Sequence, residues 1–549
     1  MNCFEQLKTS FFSFLQQTLK LEESTIEKCN FELNCDEDKQ QFGDINTNIA
    51  MIAAKTVGQN PRVIAQRIIE QFHHKFIEKI EVAGPGFLNF FIKQEWYQIL
   101  AMQLLEQNEQ FFSDGYQQSD NINVEFISAN PTGPLHIGHG RNGILGDVLA
   151  TLYQFLGQEV CKEFYVNDAG AQITKLGNSF KIRCLQELGQ LVELPEDAYQ
   201  GEYLIKLAKT CTQEFGINLE QKPDSFFEDY AKEHMLSMQQ QTLEKYGILF
   251  NNWFSEKQLH NEDKVYQALQ KLIDRGHTYE KEGALWFTST KFGDDKDRVL
   301  KKSNGELTYV AADIAYMIDK FGRDFNKLVM ILGHDHHSYK VRLHAIMQAL
   351  GYNPKDLIII LYQLVHIIQD GQLVKMSKRT GKMITLADII DEVGKNVARF
   401  FFLNRKADAE LEFDINLALS QSNENPIFYI QYAHVRTLSI QKKADQAGIP
   451  PEITPSFNQE FSPLETLLLK KICSLKELMF NIADNYQIHL LAYYSYELAT
   501  LFHKYYNSAR VIIPDNPELS QQRLHIIKMV QQTLQTCFYV MGITPLQKM

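Results

Sequence analysis

One stretch, residues 123–157 (NVEFISANPTGPLHIGHGRNGILGDVLATLYQFLG), limits what this chain can fold into more than any other. It opens with a short apolar run, Val124-Glu125-Phe126-Ile127, that reads as a strand. Asn130-Pro131-Thr132-Gly133-Pro134 then enforces a loop, because proline and glycine interrupt both ladder and helix. Beyond His136, the residues Ile144, Leu145, Val148, Leu149, Leu152, Phe155 and Leu156 recur at helical spacing, and Gly157 supplies a stop. A loop that leaves a strand and enters a helix is where a parallel α/β sheet binds nucleotides, at the carboxyl ends of its strands. His136 and His139 lie three apart at the helix entrance, so both side chains share a face. Unpaired backbone N–H groups and the positive end of the helix dipole favour a phosphate there. Gly138 leaves room for a flat ring to approach the backbone.

Alone, His-Ile-Gly-His reads equally well as a pair of packing or surface histidines. Far downstream, after a turn at Gly371, comes the dense basic segment Val374-Lys375-Met376-Ser377-Lys378-Arg379-Thr380-Gly381-Lys382, which alone is a solvated charge run. The two together, in this order and separated by a long α/β pattern, resemble the paired signatures of class I aminoacyl-tRNA synthetases. Further phrases narrow the resemblance to the arginyl-tRNA synthetases: FGDIN at 42–46, AGPGF at 83–87, SANPTG at 128–133 and YVNDAG at 165–170. LTYVAADIAY at 307–316, QYAHVR at 431–436 and GITP at 542–545 extend it over nearly the whole chain.

That resemblance implies a Rossmann-type catalytic domain, an N-terminal module that binds the tRNA elbow, and a helical anticodon-binding domain. It implies activation of L-arginine by ATP to arginyl-adenylate, then transfer to the 3′-terminal adenosine of tRNA(Arg). His136, His139, Lys375 and Lys378 match the family's catalytic positions, with Gly138, Met376 and Ser377 as further ATP contacts. Glu125, Ser128 and Asn130, with His136, match residues that orient the backbone end of arginine. Glu256, Tyr309 and Asp313, with Tyr316 in addition, match the side-chain pocket. Tyr429, Tyr432, Arg436 and Met549 match anticodon contacts, and Asn89 is the candidate for the elbow. ATP is expected as its Mg²⁺ complex, which needs no protein cage, and no tightly bound protein metal is expected.

Elementary chemistry agrees with such a substrate. A guanidinium is a permanent planar cation with five donors, held best by carboxylates. Tyr309 and Asp313 are one helical turn apart and can line one wall. Tyr429, Tyr432 and Arg436 fall on one helical face, where aromatics and arginine can stack on unpaired bases, or else pack within a bundle. Gly333-His334-Asp335-His336-His337 admits three readings: a zinc site, ordinary polar residues, or a substrate-facing turn. Adjacent positions on one short loop rarely converge on a metal; the resemblance implies the turn, because the Asp-His-His phrase recurs in the family after this strand. His334 departs from the small or amide residue the family places there.

With 549 residues the chain has room for about three or four domains. The expected division is an α+β module at 1–112, then the catalytic domain at 122–375 with a helical insertion at about 178–300. A region supporting the basic loop follows at 376–424, and a helical bundle at 425–549. No apolar run is long enough to span a bilayer, and no basic-then-apolar leader opens the chain, so a cytoplasmic location is the default. Eight cysteines without CxxC spacing fit reduced thiols. A net charge of −12 argues against indiscriminate nucleic-acid binding, leaving tRNA to local basic patches and DNA as no partner. A monomer is the default expectation. The alternatives are another class I synthetase, for cysteine or lysine, and a catalytically inactive tRNA-binding paralogue.

Overall fold

The computed structural model describes residues 2–117, 119–374, 384–449 and 456–549. At the N-terminus β1 (Phe31–Leu33), β2 (Ile45–Thr47), β3 (Ile77–Ala83) and β4 (Phe87–Ile92) form an antiparallel sheet in the order β1-β2-β4-β3. Helices Cys3–Leu19, Ile49–Val57 and Pro61–Gln71 accompany it, and Phe11 gathers the rings of Phe31, Phe72 and Phe90 at 5.0–5.3 Å. The phrase FGDIN is a joint. Gly43 has φ +82°, and a Cβ there would stand 2.7 Å from the Phe90 carbonyl oxygen. Asp44 accepts from the Ile92 amide (2.8 Å) and, through its other oxygen, from the fully buried Lys470 of the C-terminal helices (2.9 Å). Asn89 lies mid-strand opposite Asn46 and Glu81 and is only 5% exposed. Asn89 stays the candidate elbow contact that the resemblance implies.

The alternating pattern that follows builds one wholly parallel sheet from β5 (Asn121–Glu125), β6 (Glu159–Val166) and β7 (Asn252–Ser255), joined by two later strands. Within the stretch expected to be a helical insertion, helices Ala171–Glu187, Glu202–Phe215 and Asp224–Tyr246 share a core of Leu176, Phe180, Leu204 and Phe227. The insertion is not continuous, however. β7 belongs to the main sheet, and β8 (Thr278–Lys281), β9 (Ala284–Phe287) and β10 (Arg298–Lys301) form a small antiparallel sheet of their own. These strands have four residues each, too short for periodicity to reveal. β11 (Lys327–Gly333) and β12 (Leu357–Tyr362) complete the main sheet in the order β12-β11-β5-β6-β7. The chain thus starts in the middle, winds one way through β6 and β7, and returns to the other side of β5. This is the doubly wound order, with its crevice where the direction reverses, between β5 and β11.

β13 (Val365–Gln369), β14 (Gln372–Leu373) and β15 (Leu411–Asp414) form a third small sheet beside helices Leu386–Val393 and Lys395–Leu403. Helices Pro426–Gln446, Pro463–Asn485, His489–Ser508 and Pro517–Met541 make the C-terminal bundle. Buried Arg399 fastens these layers together. It donates to Asp147 (2.5 Å) on the helix after β5, to the Tyr246 carbonyl (3.2 Å), and to the Met541 carbonyl (2.9 Å). All eight cysteines are free thiols, and among the described residues no helix is long and apolar enough to cross a membrane.

Candidate active site

The crevice is shaped first by backbone strain. β5 stops at Glu125, two residues before the apolar run ends, and Ile127 and Ser128 take φ values of +68° and +43°. A β-branched residue in that region is unfavourable and persists only when its surroundings hold it. Asn142, on helix Ile137–Phe155, does so: its Oδ1 accepts from the Ile127 amide (2.6 Å) while its Nδ2 donates to the Ile331 carbonyl (2.9 Å) of β11. One amide therefore clamps both sides of the crevice. Gly146 lets the helix press on Phe126, where a Cβ would stand 2.2 Å from the ring.

At the mouth of that helix the two histidines cap one another. His136 Nδ1 accepts from the Gly138 amide (3.1 Å), and His139 Nδ1 accepts from the His136 amide (3.2 Å). Their rings stack at 3.6 Å. A Cβ on Gly138 would meet His136 Cε1 at 2.9 Å, so the flat ring for which Gly138 makes room is His136's own. Because each Nδ1 accepts, each imidazole carries its proton on Nε2 and presents it as a donor. Burial, reinforced by His136, pushes His139 down to about 3, so it is a neutral donor at physiological pH.

Lys375, Met376, Ser377 and Lys378 lie outside the described residues. The chain that leaves their segment is placed: Thr385 forms a β-bridge with His136, and the Leu386 amide donates to the Leu135 carbonyl (2.8 Å). Thr385 and Leu386, more than two hundred residues on in sequence, are thus tied to the mouth of the histidine helix.

Around the carboxyl end of β5 lies an acidic cluster. Half-buried Asp313, on helix Tyr309–Gly322, accepts the Tyr339 hydroxyl on Oδ1 (2.7 Å), whereas its Oδ2 is buried with no hydrogen-bond partner. Burial pushes this carboxyl up to about 7; Tyr339 and Arg342 pull it down, and Glu256 and Glu125 push it further up. Glu256 begins the helix after β7 and is also raised, chiefly by burial, although the Tyr165 hydroxyl hydrogen-bonds it. The YVNDAG phrase holds that helix in place: Asp168 accepts from the Ser255 hydroxyl (2.7 Å) and the Lys257 amide (3.0 Å), on either side of Glu256. Tyr309 is 69% exposed on the rim. Tyr316 does not join it as a side-chain contact. Its ring is buried between Tyr165 and Phe254, and its hydroxyl is taken by Glu163 (2.6 Å).

At the end of β5, Glu125 accepts from the Ser128 hydroxyl (3.3 Å) and from fully buried Lys320 (2.7 Å). Ser128 Oγ in turn accepts from the Tyr165 amide (3.1 Å). Asn130 is exposed, its carbonyl held by Gln239 (3.0 Å). His334, Asp335, His336 and His337 are exposed just past β11, at the crevice, and among the described residues no His/Cys/Asp/Glu group is placed to hold a metal.

In the bundle, Arg436 lies 4.4 Å from the Tyr432 ring and donates to its hydroxyl, while Tyr429 packs at 4.5 Å on His503. His503, pushed down to about 4 by burial and then by Arg436, joins Tyr496 and Tyr506 in a patch that sequence spacing missed, because they come from a different helix. Met549 is exposed, and the tail before it is pinned to the Tyr429 helix by Gln431 and His434. A separate cavity of about 570 Å³ lies in the seam of module and bundle, against Cys35, Lys471 and Lys504, far in the fold from the catalytic crevice. Among residues that sequence reading passed over, Lys320 left a trace: it continues, seven positions on, the helical stripe that carries Asp313.

The chain was compared with known proteins. Residues 5–92 match the "Arginyl tRNA synthetase N terminal domain", residues 100–414 the "tRNA synthetases class I (R), catalytic domain", and residues 430–549 the "DALR anticodon binding domain". The chain is 39% identical over 563 residues to an arginine–tRNA ligase of Bacillus subtilis, covering all of both chains. It is 41% identical over 516 residues to one of Geobacter sp., covering 93% of each. The fold superposes on the arginyl-tRNA synthetase of Thermus thermophilus with a TM-score of 0.78 at 21% identity, over the full length of both. A parallel sheet with its crevice at the histidines, an acidic pocket alongside and a helical bundle behind agree with those matches throughout, and the chain belongs to the arginyl-tRNA synthetases, class I aminoacyl-tRNA ligases.

Proposed function

We propose that the chain activates L-arginine with ATP and transfers it to tRNA(Arg), with the crevice residues in the following roles. The observation that carries the substrate assignment is Asp313: a buried carboxylate oxygen with no donor, in a pocket whose other acids are Glu125 and Glu256. A guanidinium supplies several planar donors and a permanent charge, which together satisfy that oxygen and relieve the repulsion among the acids. A neutral side chain of similar length would do neither, so discrimination comes from buried groups left unpaired.

In the first step the arginine carboxylate attacks the α-phosphorus of ATP. A carboxyl-oxygen-to-phosphorus bond forms, the bond to the bridging oxygen breaks, and pyrophosphate leaves. Charge grows on phosphoryl oxygens and no enzyme nucleophile is needed, so positioning and charge stabilisation do the catalysis. His136 and His139 contribute Nε2–H donors at a helix mouth whose dipole favours the same anion. Lys375 and Lys378, by their match to the family positions, neutralise the phosphates, with Mg²⁺ arriving on ATP. In the second step the terminal 2′-hydroxyl of the tRNA attacks the adenylate carbonyl and AMP leaves. Tyr429, Tyr432 and Arg436, with His503 and Tyr496, offer the stacking surface for anticodon bases.

ATP–pyrophosphate exchange, run with each amino acid and with and without tRNA, tests this reading. Exchange dependent on arginine is the expected result. Exchange with cysteine or lysine instead would reassign the substrate, and none under any condition would mark a binding paralogue.

A further inference from the structure

Beneath the pocket sits a charge that neither the signatures nor the reaction calls for. Lys320 is completely buried, and its ammonium donates to Asn123 (2.6 Å) and Glu125 (2.7 Å), with Glu163 at 3.4 Å. A buried ammonium is costly unless its donors are taken up by good acceptors, and here three are supplied. The two carboxylates do not depend on it equally. Glu163 is also held by Arg323 (2.5 and 3.1 Å), the Tyr316 hydroxyl (2.6 Å) and Asn252 (2.7 Å), and is kept down at about 2. Glu125, by contrast, has Lys320 as its cation within ion-pair distance among the described residues, with the Ser128 hydroxyl on its other oxygen. The remaining ionisable groups facing it, Glu163, Asp313, Tyr165, Tyr316 and Tyr339, are acids, and none can take over the pairing.

We propose that Lys320 is a positioning residue for amino-acid recognition: it occupies Oε2 of Glu125 from below, and so presents Oε1 to the α-ammonium of the substrate. The geometry divides the labour. Oε2 is committed to the protein, and Oε1, steadied by Ser128 at the strained end of β5, is the oxygen left to accept a ligand's donor. Without Lys320 the carboxylate would lose the donor that fixes Oε2, and Oε1 would no longer be aimed at the ligand. The proposal rests on the arginine reading above and adds that recognition of the substrate's amino group is set one layer below the pocket wall.

The test measures affinity for arginine and for 5-guanidinopentanoate, which keeps the guanidinium and carboxylate but lacks the α-amino group, on the full chain with tRNA present. Wild type must first show arginine-dependent exchange; if it does not, the functional reading fails before this one is engaged. Lys320→Gln is then expected to weaken arginine about 10- to 100-fold, as loss of an ionic acceptor does, with 5-guanidinopentanoate and ATP changed less than threefold. The preference for arginine over the analogue should fall to that of Glu125→Gln. A purely structural role would weaken all three ligands alike. The double variant K320Q/E125Q removes both charges of the pair and covers the case in which K320Q alone does not fold. It should discriminate as E125Q does. Retained preference in K320Q, or a double variant more than threefold worse than E125Q, overturns the proposal.

Discussion

Arginine binding should carry its own pH signature, set by Asp313. Burial and the neighbouring acids push its carboxyl up to about 7, so near neutrality the free protein holds it as a mixture of acid and carboxylate. Arginine's guanidinium stays charged across the whole working range and pairs only with the carboxylate. Binding below pH 7 therefore expels a proton, and affinity falls as pH falls; above pH 7 nothing remains to expel and affinity levels off. For one group titrating at about 7, the apparent Kd exceeds its alkaline limit by about 1.1-fold at pH 8, about 2-fold at pH 7 and about 11-fold at pH 6. Glu256, raised in the same direction, steepens the lower end. Calorimetric titration with arginine in two buffers of different ionisation enthalpy reads the released proton directly: about half a proton at pH 7 and about nine-tenths at pH 6. Asp313→Asn should weaken binding and flatten the profile. An arginine affinity that is level from pH 6 to 8, with no proton released, would refute the claim that the pocket's acids are mutually strained.

The remaining predictions concern other parts of the fold. His139→Ala should lower the exchange rate by about 10²–10³, with His139→Asn, which keeps a neutral donor, losing less; because His139 titrates at about 3, no protonation step of His139 should show in kcat above pH 5. Asn142→Leu should cost about 1–3 kcal/mol in denaturant unfolding, since it strands the Ile127 amide and the Ile331 carbonyl, and should raise the KM for both arginine and ATP. Tyr432→Ala should raise the KM for tRNA by about 5- to 150-fold, the equivalent of about 1–3 kcal/mol of base stacking, while leaving the arginine and ATP constants unchanged in steady-state assays.

Segments with local logic were legible before any coordinates. The two histidines and the glycine between them follow from a strand, a proline-broken loop and a helix start, all within one short stretch, and the structure places them at the helix mouth. Asp313 was legible through its match to the family phrase LTYVAADIAY, and the structure sets it on helix Tyr309–Gly322. Helical spacing puts Tyr316 on the same stripe, and spacing cannot say where its hydroxyl goes; in the structure it donates to Glu163. β7 went unseen because four residues carry no periodic signal, although it completes one side of the catalytic sheet.

By itself the sequence determined the class of fold, the helix mouth and the tyrosine-rich face of the last domain. Each of these is encoded by neighbours along the chain, through turn chemistry and hydrophobic period. Only the tertiary structure decided which of those groups meet. Thr385 reaches His136, Asn142 spans two strands, Asp168 steadies Glu256, and Lys320 rises beneath Glu125. The physical reason is that charge pairing and desolvation depend on distances across the sheet, and those distances exist only once β5 and β11 lie side by side.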